Sequence, residues 1–309
     1  MSTLFVLGHN AFKSGKSITL MHFLTLKDFD KGFIEELLNL ASEIKVDYSK
    51  YKESMANKTL AMIFMKTSTR TRTSFEAGVT KLGGHAIFIE SRVSNFALGA
   101  LKDEAKCISR YTNLIMARVF GHQQVEEIAK ASAVPVINGL SEYYHPCQIL
   151  ADLLTIKEKK GSLAGLKLAF VGDGNNVCNS LVVGCSKLGL DVAVAVPKGF
   201  EPMEKNAEIT YNVEEAVKKA DIVYTDTWVS MGQEKETKER MKVFSPFQVN
   251  KKLMAKANSD ALFMHCLPAH RGLEVSDEVI DSGQSIVFDQ AENRMHVQNA
   301  LMLRLLGGV

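Results

Sequence analysis

Short apolar segments of strand length alternate with segments of helical periodicity along this chain, and this alternation limits its possible folds more than any other feature. The segments at 59–64 and 166–171 are apolar except for Thr59 and Lys167, as is typical of parallel strands with both faces covered. We predict further strands at 86–89, 114–119, 134–137, 192–196, 222–225 and 261–265. We predict helices at 70–82, 101–111, 125–131, 149–159, 176–188, 213–219 and about 290–306. The pattern predicts the α/β class, with two doubly wound parallel-sheet domains joined by interdomain helices.

The length of the chain supports two domains, because 309 residues exceed the size at which a single core usually stops growing. We expect a first domain at 21–150, a second at 151–289, and a C-terminal helix at 290–309 that returns to the first domain. Residues 1–20 carry two lysines but neither an arginine nor an acid. We expect this segment to be an extension outside the fold, because a transit peptide, the alternative, is normally rich in arginine.

Composition excludes several classes of protein. Hydrophobic residues make up 46% of the chain and charged residues 23%, which is ordinary for a globular enzyme. The net charge of +2 is too small to indicate nucleic acid or a membrane surface as the partner, and no apolar run is long enough to span a bilayer. The five cysteines are odd in number and form no CxxC pair, which favours a reducing, cytoplasmic location over a disulfide framework.

A candidate anion site follows the strand at 59–64. Ser68, Thr69, Arg70 and Thr71 lie where this strand ends and a helix begins. A helix N-terminus offers free N–H groups and a positive dipole, and an arginine adds a planar donor fork that matches phosphate oxygens. The alternative is an ordinary helix cap followed by solvent-facing arginines.

Three polar side chains follow other strands of the first half. Arg118 ends the strand at 114–119, and His145 and Gln148 follow the strand at 134–137. Ligands in such folds bind beyond the carboxyl ends of the strands, so these groups are candidates to contact a carbonyl oxygen and an amide nitrogen. Each also has a structural alternative, namely a surface ion pair for Arg118 and a structural histidine for His145.

The second half has a candidate site for an amino acid. The sequence GDGNN at 172–176 begins like a dinucleotide loop, but Val177 stands where the third glycine would fall, so that fingerprint fails. Asn175 and Asn176 instead place side-chain amides at a helix N-terminus, which suits a carboxylate. Asp226 follows the strand at 222–225, which suits an ammonium group. Ser230 and Met231 belong to a loop that would close over the site. The alternative for Asp226 is a helix cap.

The last candidates lie near the C-terminus. Cys266 and Leu267 follow the strand at 261–265. We interpret the cysteine as a contact in the pocket rather than as a nucleophile, because acyl transfer between two small substrates can proceed by direct attack of an amine, without a covalent enzyme intermediate. His265, Cys266 and His270 match no zinc spacing well, so we predict no metal. Arg294 lies at the predicted seam of the two domains, where its alternative is a surface charge.

Seven motifs in this order resemble the ornithine carbamoyltransferases, a branch of the aspartate/ornithine carbamoyltransferase superfamily. They cover nearly the whole chain after residue 21: STRTR (68–72), MARV (116–119), HPCQ (145–148), GDGNN (172–176), DTWVSMGQE (226–234), HCLPAHRG (265–272) and AENR (291–294). The resemblance implies transfer of the carbamoyl group of carbamoyl phosphate to the δ-amine of L-ornithine in arginine metabolism. It implies no cofactor, and a homotrimer or a multiple of trimers.

The resemblance also implies roles for the candidate residues. The donor's phosphate would bind to Ser68, Thr69, Arg70, Thr71 and Arg118. Its carbamoyl group would bind to His145, Gln148, Arg294 and the main chain of Cys266 and Leu267, with Cys266 near the attacking δ-nitrogen. Ornithine's α-amino and α-carboxyl groups would bind to Asn176, Asp226, Ser230 and Met231. Residues 21–150 would be the carbamoyl phosphate domain, and residues 151–289 the ornithine domain.

Three features depart from the family pattern. The loop at 91–104 lacks the glutamine that usually reaches the neighbouring subunit, and Asn95 is the candidate substitute. A helix expected near 203–208 is missing, and Met65 replaces an acid before the anion loop, with little expected effect.

The sequence leaves two alternatives to the ornithine reaction. One is a carbamoyltransferase that acts on putrescine or on an N-acylated ornithine, although these acceptors have no free α-amino group for Asp226 to bind. The other is a non-catalytic paralogue that binds the ligands.

Overall fold

The computed structural model describes residues 20–229 and 234–307. The predictions for residues 1–19, Ser230 and Met231 lie outside the described residues. Within the described part of the chain, no helix is both long enough and apolar enough to cross a membrane.

The first half of the chain forms a four-stranded sheet in which every neighbouring pair is parallel and the strand order is β2-β1-β3-β4. Its strands are β1 (Thr59–Phe64), β2 (His85–Glu90), β3 (Leu114–Arg118) and β4 (Val136–Leu140). Its helices are α1 (Lys31–Val46), α2 (Thr69–Lys81), α3 (Leu101–Ile108) and α4 (His122–Ala131).

Helix α5 (Pro146–Lys160) leads from the first sheet to the second. Proline occupies its first turn, where a missing N–H costs no hydrogen bond, and the helix ends at Gly161 in the left-handed conformation. The predicted domain boundary at residue 150 lies inside this helix, and the division of the chain there stays a prediction.

The second half forms a five-stranded parallel sheet with the order β7-β6-β5-β8-β9. Its strands are β5 (Lys167–Val171), β6 (Asp191–Ala195), β7 (Glu208–Thr210), β8 (Ile222–Thr225) and β9 (Leu262–Met264). Its helices are α6 (Asn176–Lys187), α7 (Val213–Val217), α8 (Thr237–Phe244), α9 (Lys251–Met254) and α10 (Asp277–Ile280). The predicted fold class is confirmed.

The last helix, α11 (Val287–Leu306), joins the two halves. It packs on α1, α2 and α5, and the contact with α2 is so close that a Cβ on Gly78 would lie 2.2 Å from Asn299 Oδ1. One apolar core contains Met62 of β1, Leu153 of α5 and Phe170 of β5. A shared core of this kind fixes the two sheets relative to each other through α5 and α11.

Several predicted elements need correction. Helix α5 begins at Pro146 rather than at 149, β4 runs to Leu140 instead of ending at 137, and α11 begins at Val287 rather than at 290. Helices α1 and α8–α10 and the short strand β7 were not predicted. The predicted lack of a helix near 203–208 is confirmed, since residues 196–207 connect β6 to β7 without one.

Each strand order contains one place where the chain reverses its direction of progress across the sheet. In the first sheet it lies between β1 and β3, and in the second between β5 and β8. At such a switch point the connections leave toward opposite faces, which opens a crevice at the carboxyl ends of the strands. Ligand sites are therefore expected after β1 and β3 and after β5 and β8.

Candidate functional site

The first wall of the site is the N-terminus of α2, which follows β1. Ser68 caps this helix, because its side chain accepts a hydrogen bond from the N–H of Thr71 at 3.2 Å. The Thr71 side chain is buried, whereas Thr69 and Arg70 are exposed. Arg118, at the end of β3, donates from Nη1 to Thr71 Oγ1 at 3.5 Å. The switch point of the first sheet thus brings the STRTR segment and Arg118 together.

Two buried arginines and a histidine form the interior of the cleft. Arg118 is 5% exposed and Arg294 is 4% exposed, although charged side chains are seldom buried without a partner. Arg294 Nη2 lies 3.5 Å from His145 Nε2. Among the described residues, Arg118 Nε, Arg294 Nε and His145 Nδ1 find no hydrogen-bond partner. A cleft with two buried guanidinium groups and unused donors is suited to an anionic, oxygen-rich ligand.

The pKa values of these groups reflect crowding of positive charge in a dry site. Burial, reinforced by Arg294, lowers the pKa of Arg118 to about 9, and Arg70 acts in the same direction. Burial, and after it Arg294 and Arg118, holds the pKa of His145 well below its usual range. His145 is therefore neutral near pH 7. Because an arginine only donates, His145 Nε2 accepts from Arg294, and the proton lies on Nδ1.

Gln148, one turn into α5, contacts Arg294. Arg294 Nη1 donates to Gln148 Oε1 at 2.5 Å, and the other end of the amide donates from Nε2 to Asp152 Oδ1 at 2.8 Å. The carbonyl of Gln148 is consequently fixed on the side of Arg294. Its second lone pair is available to an N–H group of a ligand beside the arginine.

The second wall of the site lies at the switch point of the other sheet. Asp226 follows β8 and is 6% exposed. Its Oδ2 accepts from Asn175 Nδ2 at 2.8 Å and its Oδ1 accepts from the Cys266 thiol at 3.1 Å. Asn175 also caps α6 by accepting from the N–H groups of Val177 and Cys178. A buried carboxylate held between strand ends is suited to an ammonium group.

Cys266 is a neutral thiol in this setting. Burial raises its pKa well above the usual value, and Asp226 adds to the rise while Arg70 opposes it. The thiol donates to a carboxylate, which requires the proton to be on sulfur. The nucleophilic form of cysteine is the thiolate, so this environment does not favour covalent catalysis.

The two walls belong to one cleft. Arg294 donates to Gln148, and Gln148 donates to Asp152. Gln290 also donates to Asp152 and accepts from the N–H of His265, which directly precedes Cys266. Cys266 in turn contacts Asp226 on the second wall. Hydrogen bonds therefore connect Arg294 to the backbone beside Asp226, so these cationic and acidic groups do not lie on separate surfaces.

Two predicted residues have other contacts in the structure. Asn176 donates from Nδ2 to the main-chain oxygen of Ser141 at 2.7 Å, so its amide nitrogen spans the two halves of the chain. Leu267 has a φ of +58°, a conformation rare for a side chain of this type, and its N–H donates to His265 Nδ1 at 2.9 Å. Ligand contacts of these two residues stay predictions.

A group of metal-ligand type occurs beside Asp226. One ligand atom each from Asp226, His265 and Cys266 lies within 4.8 Å of the others. Both ring nitrogens of His265 are already engaged, Nδ1 by Leu267 N at 2.9 Å and Nε2 by Glu274 Oε1 at 3.2 Å. Because the thiol also keeps its proton, these three side chains fit hydrogen bonding better than metal coordination.

Sequence reasoning missed the polar side chains behind the cleft. Asp152, Tyr224 and Gln290 are wholly buried and hydrogen-bonded to one another. Burial raises the pKa of Asp152 to about 7, against hydrogen bonds from Gln148, Gln290 and Tyr224 that lower it. A single acid inside the apolar stretch ILADLL was the one available signal.

A second set of residues that the sequence did not reveal is an ion pair that holds the start of the loop after β8. Arg240 of α8 forms a buried ion pair with Asp173 and donates from Nε to the main-chain oxygen of Trp228 at 2.6 Å. This guanidinium joins the GDGNN segment to residue 228, just before the undescribed residues 230–233. No local pattern indicates such a pair, because its members are 67 residues apart.

Comparison with protein families gives two matches that together cover most of the chain. Residues 21–158 match the family described as aspartate/ornithine carbamoyltransferase, carbamoyl-P binding domain. Residues 164–305 match the aspartate/ornithine carbamoyltransferase, Asp/Orn binding domain.

Individual relatives cover nearly the full length. The ornithine carbamoyltransferase of Pyrococcus horikoshii is 51% identical over 303 residues, 93% of this chain and 96% of the relative. The ornithine carbamoyltransferase structure from Pyrococcus furiosus has a TM-score of 0.89 at 48% identity, covering 95% of this chain and 99% of that one. The structure of an acetylornithine transcarbamylase with acetylcitrulline is similar at a TM-score of 0.83 and 31% identity, covering 93% and 99%.

Proposed function

Because the chain belongs to the aspartate/ornithine carbamoyltransferase family, we propose that its interdomain cleft transfers the carbamoyl group of carbamoyl phosphate to the δ-amine of L-ornithine. The products are L-citrulline and phosphate. The observation that carries the proposal is the connection between a buried guanidinium group, Arg294, and a buried carboxylate, Asp226. Hydrogen bonds through Gln148, Asp152 and Gln290 lead from Arg294 to the N–H of His265, whose neighbour Cys266 contacts Asp226. Buried guanidinium groups suit a phosphorylated donor, and a buried carboxylate suits the ammonium group of a diamino acid.

The donor's phosphate binds at the N-terminus of α2. Ser68, Thr69, Arg70 and Thr71 supply N–H groups, hydroxyls and a guanidinium, and Arg118 supplies a second guanidinium from the end of β3. Burial, and after it the neighbouring arginines, lower the pKa of Arg118, and a phosphate dianion that enters beside it favours the charged guanidinium again. Binding energy at the phosphate therefore also holds the carbamoyl group in place beside it.

The carbamoyl group binds between the elements that carry His145, Gln148 and Arg294. Gln148 Oε1 accepts from the carbamoyl NH2, because its other end is fixed toward Asp152. His145, neutral and protonated on Nδ1, donates to the carbamoyl oxygen without adding a charge. The main chain of Cys266 and Leu267 completes this part of the site.

Ornithine binds on the second wall. Asp226 accepts from the α-ammonium group, and Asn176 contacts the α-carboxylate with Ser230 and Met231. The neutral δ-amine then attacks the carbamoyl carbon, forming a C–N bond and an oxyanion. Arg70, Thr71 and His145 stabilise this oxyanion. The C–O bond to phosphate breaks, and the leaving phosphate takes the amine proton. No step requires a metal or a cofactor.

The division of the chain follows from these roles. We assign residues 21–150 to carbamoyl phosphate, residues 151–289 to ornithine, and residues 290–309 to a C-terminal segment that contains most of α11 and brings Arg294 back to the donor. The contacts of α11 with both α2 and α5 support this assignment. The five free cysteines support a reducing compartment, and we propose the cytoplasm, which recovery of the chain in the cytosolic fraction of its source cells would test.

A panel of acceptors tests the reaction directly. The purified chain is incubated with carbamoyl phosphate and, separately, L-ornithine, putrescine, N-acetylornithine and L-aspartate, and the ureido product is measured. We expect turnover with ornithine alone, since only ornithine presents both a δ-amine and a free α-ammonium for Asp226. Turnover restricted to putrescine would refute the acceptor assignment. Binding of both substrates without any product would indicate the non-catalytic paralogue.

We also propose that the chain works as a homotrimer or a multiple of trimers. Of the ten large hydrophobic side chains exposed in the described residues, five lie between residues 87 and 120, namely Ile87, Val93, Leu98, Tyr111 and Phe120. Exposed apolar side chains in this part of the chain support association between subunits. Asn95 is exposed in the same region and would reach the neighbouring subunit in place of the missing glutamine. Sedimentation should give a multiple of three times 34.1 kDa, and a monomer at assay concentration would contradict the proposal.

A further inference from the structure

Asp152 in α5 is a wholly buried carboxylate surrounded by hydrogen-bond donors. Its Oδ1 accepts from Gln148 Nε2 at 2.8 Å and from Gln290 Nε2 at 2.7 Å, and its Oδ2 accepts from the Tyr224 hydroxyl at 3.1 Å. The three donors come from α5, α11 and β8. One side chain thus links the interdomain helices to the second sheet.

The first glutamine has only one amide orientation that satisfies its neighbours. Gln148 Oε1 accepts from Arg294 Nη1 at 2.5 Å, and an arginine has no acceptor. The NH2 end must therefore face an acceptor, which Asp152 supplies. Without that acceptor the amide is free to rotate, and the carbonyl would no longer be held against Arg294.

The second glutamine is fixed in the same way. Gln290 Oε1 accepts from the main-chain N–H of His265 at 3.0 Å, while its Nε2 donates to Asp152 and, at 3.0 Å, to the Tyr224 hydroxyl. His265 directly precedes Cys266 and Leu267. Gln290 therefore ties the end of β9, and the backbone that follows it, to α11.

We propose that Asp152 is a positioning residue, whose carboxylate fixes the amides of Gln148 and Gln290 and thereby places both Arg294 and the Cys266–Leu267 backbone around the carbamoyl group. The inference rests on the proposed function. It assigns to one buried acid, in contact with neither substrate, the alignment of two separate parts of the site. Small displacements of catalytic groups are costly, since a misplacement of about 1 Å lowers turnover by about 100-fold.

Asp152→Leu removes both acceptors and tests the proposal. We expect kcat to fall by about 100-fold, whereas the KM for ornithine stays close to wild type because Asp226 is untouched. Asp152→Asn keeps one carboxamide oxygen that can accept from both glutamines, so its kcat should lie above that of Asp152→Leu. Circular dichroism at the assay temperature establishes that each variant is folded.

Thr155→Val is the matched control. Thr155 lies about one turn further along α5, is wholly buried, and accepts from Asn293 Nδ2 of α11 at 2.9 Å, so it joins the same two helices without touching the glutamines. Its loss should lower the unfolding midpoint but leave kcat unchanged. A general loosening of the helix pair is thereby separated from loss of alignment.

A folded Asp152→Leu variant with wild-type kcat, or an Asp152→Asn variant less active than Asp152→Leu, overturns the proposal. If Asp152→Leu does not fold, Gln290→Met, which frees the His265 N–H at similar volume, should lower kcat, and wild-type kcat in that variant overturns the proposal instead. Absence of citrulline formation by the unmodified chain and by Thr155→Val would count against the proposed function itself.

Discussion

Arg70→Ala is expected to lower kcat for citrulline formation by about 10³-fold, because removal of one preorganised donor to a developing oxyanion has effects of this size. The guanidinium serves both the leaving phosphate and the carbamoyl oxygen in the proposed reaction. Arg70 is exposed at the start of α2 and belongs to none of the apolar cores, so the chain should stay folded. Steady-state kinetics and a thermal unfolding curve measure the two effects separately.

Arg72→Ala provides the control for this experiment. Arg72 lies two residues further on in the same motif, but its Nε donates to Glu76 Oε1 at 3.0 Å and its guanidinium lies 3.7 Å from the centre of the Phe88 ring. It is therefore held on the outer surface of α2, and its loss should leave kcat close to wild type. Near-normal citrulline production by Arg70→Ala would refute the anion-site assignment.

Asp226→Asn is expected to lower kcat/KM for ornithine by about 100-fold, chiefly through KM, because a hydrogen bond between charged partners contributes about 1.5–3 kcal/mol. The carboxamide keeps the shape of the side chain but loses the charge that pairs with the α-ammonium. L-Norvaline, which has the α-amino and α-carboxyl groups of ornithine but no δ-amine, should inhibit the variant more weakly by a similar factor.

Asp221→Asn is the matched control, since Asp221 and Asp226 flank the two ends of β8. Asp221 accepts from Lys167 N at 2.9 Å and from Asn258 Nδ2 at 2.8 Å, away from the cleft. Its substitution should leave norvaline inhibition unchanged. If Asp226→Asn lowered kcat but left both the KM for ornithine and the norvaline inhibition constant unaltered, Asp226 would act on the chemical step rather than on recognition of the α-ammonium.

Much of the fold was predictable because its signals are local. Largely apolar runs identified the strands that are buried on both faces, such as β1 and β5, and their alternation with helices indicated parallel sheets. Strand β7 was not predicted, because it has only three residues, none of them fully buried, and therefore lacks an apolar run. Helix α5 was predicted to begin too late, because a proline at the first helical position resembles a break in the sequence when it is in fact a preferred start.

The candidate site was also predictable only where its signals are local. Ser68, Arg70, Arg118, Asn176, Asp226 and Cys266 were identifiable because each is a polar or reactive residue at or after the end of a predicted strand, and parallel strands bring their carboxyl ends to one edge of a sheet. The partnership of Asn175 with Asp226, and the engagement of Asn176 by Ser141, were not identifiable. Neighbouring asparagines look alike in sequence, and only their directions from the helix N-terminus separate them.

By itself, the sequence determined the order of the eight predicted strands and seven predicted helices, and the chemical types available at the strand ends, since both depend on periodicity and on neighbouring residues. Only the tertiary structure decided which side chains are partners. Arg294 meets Gln148 across 146 residues, and Gln290 meets Asp152 across 138. Periodicity reports that a helix face is buried but not what it is buried against, so the network behind the cleft depends on how α5 and α11 pack together.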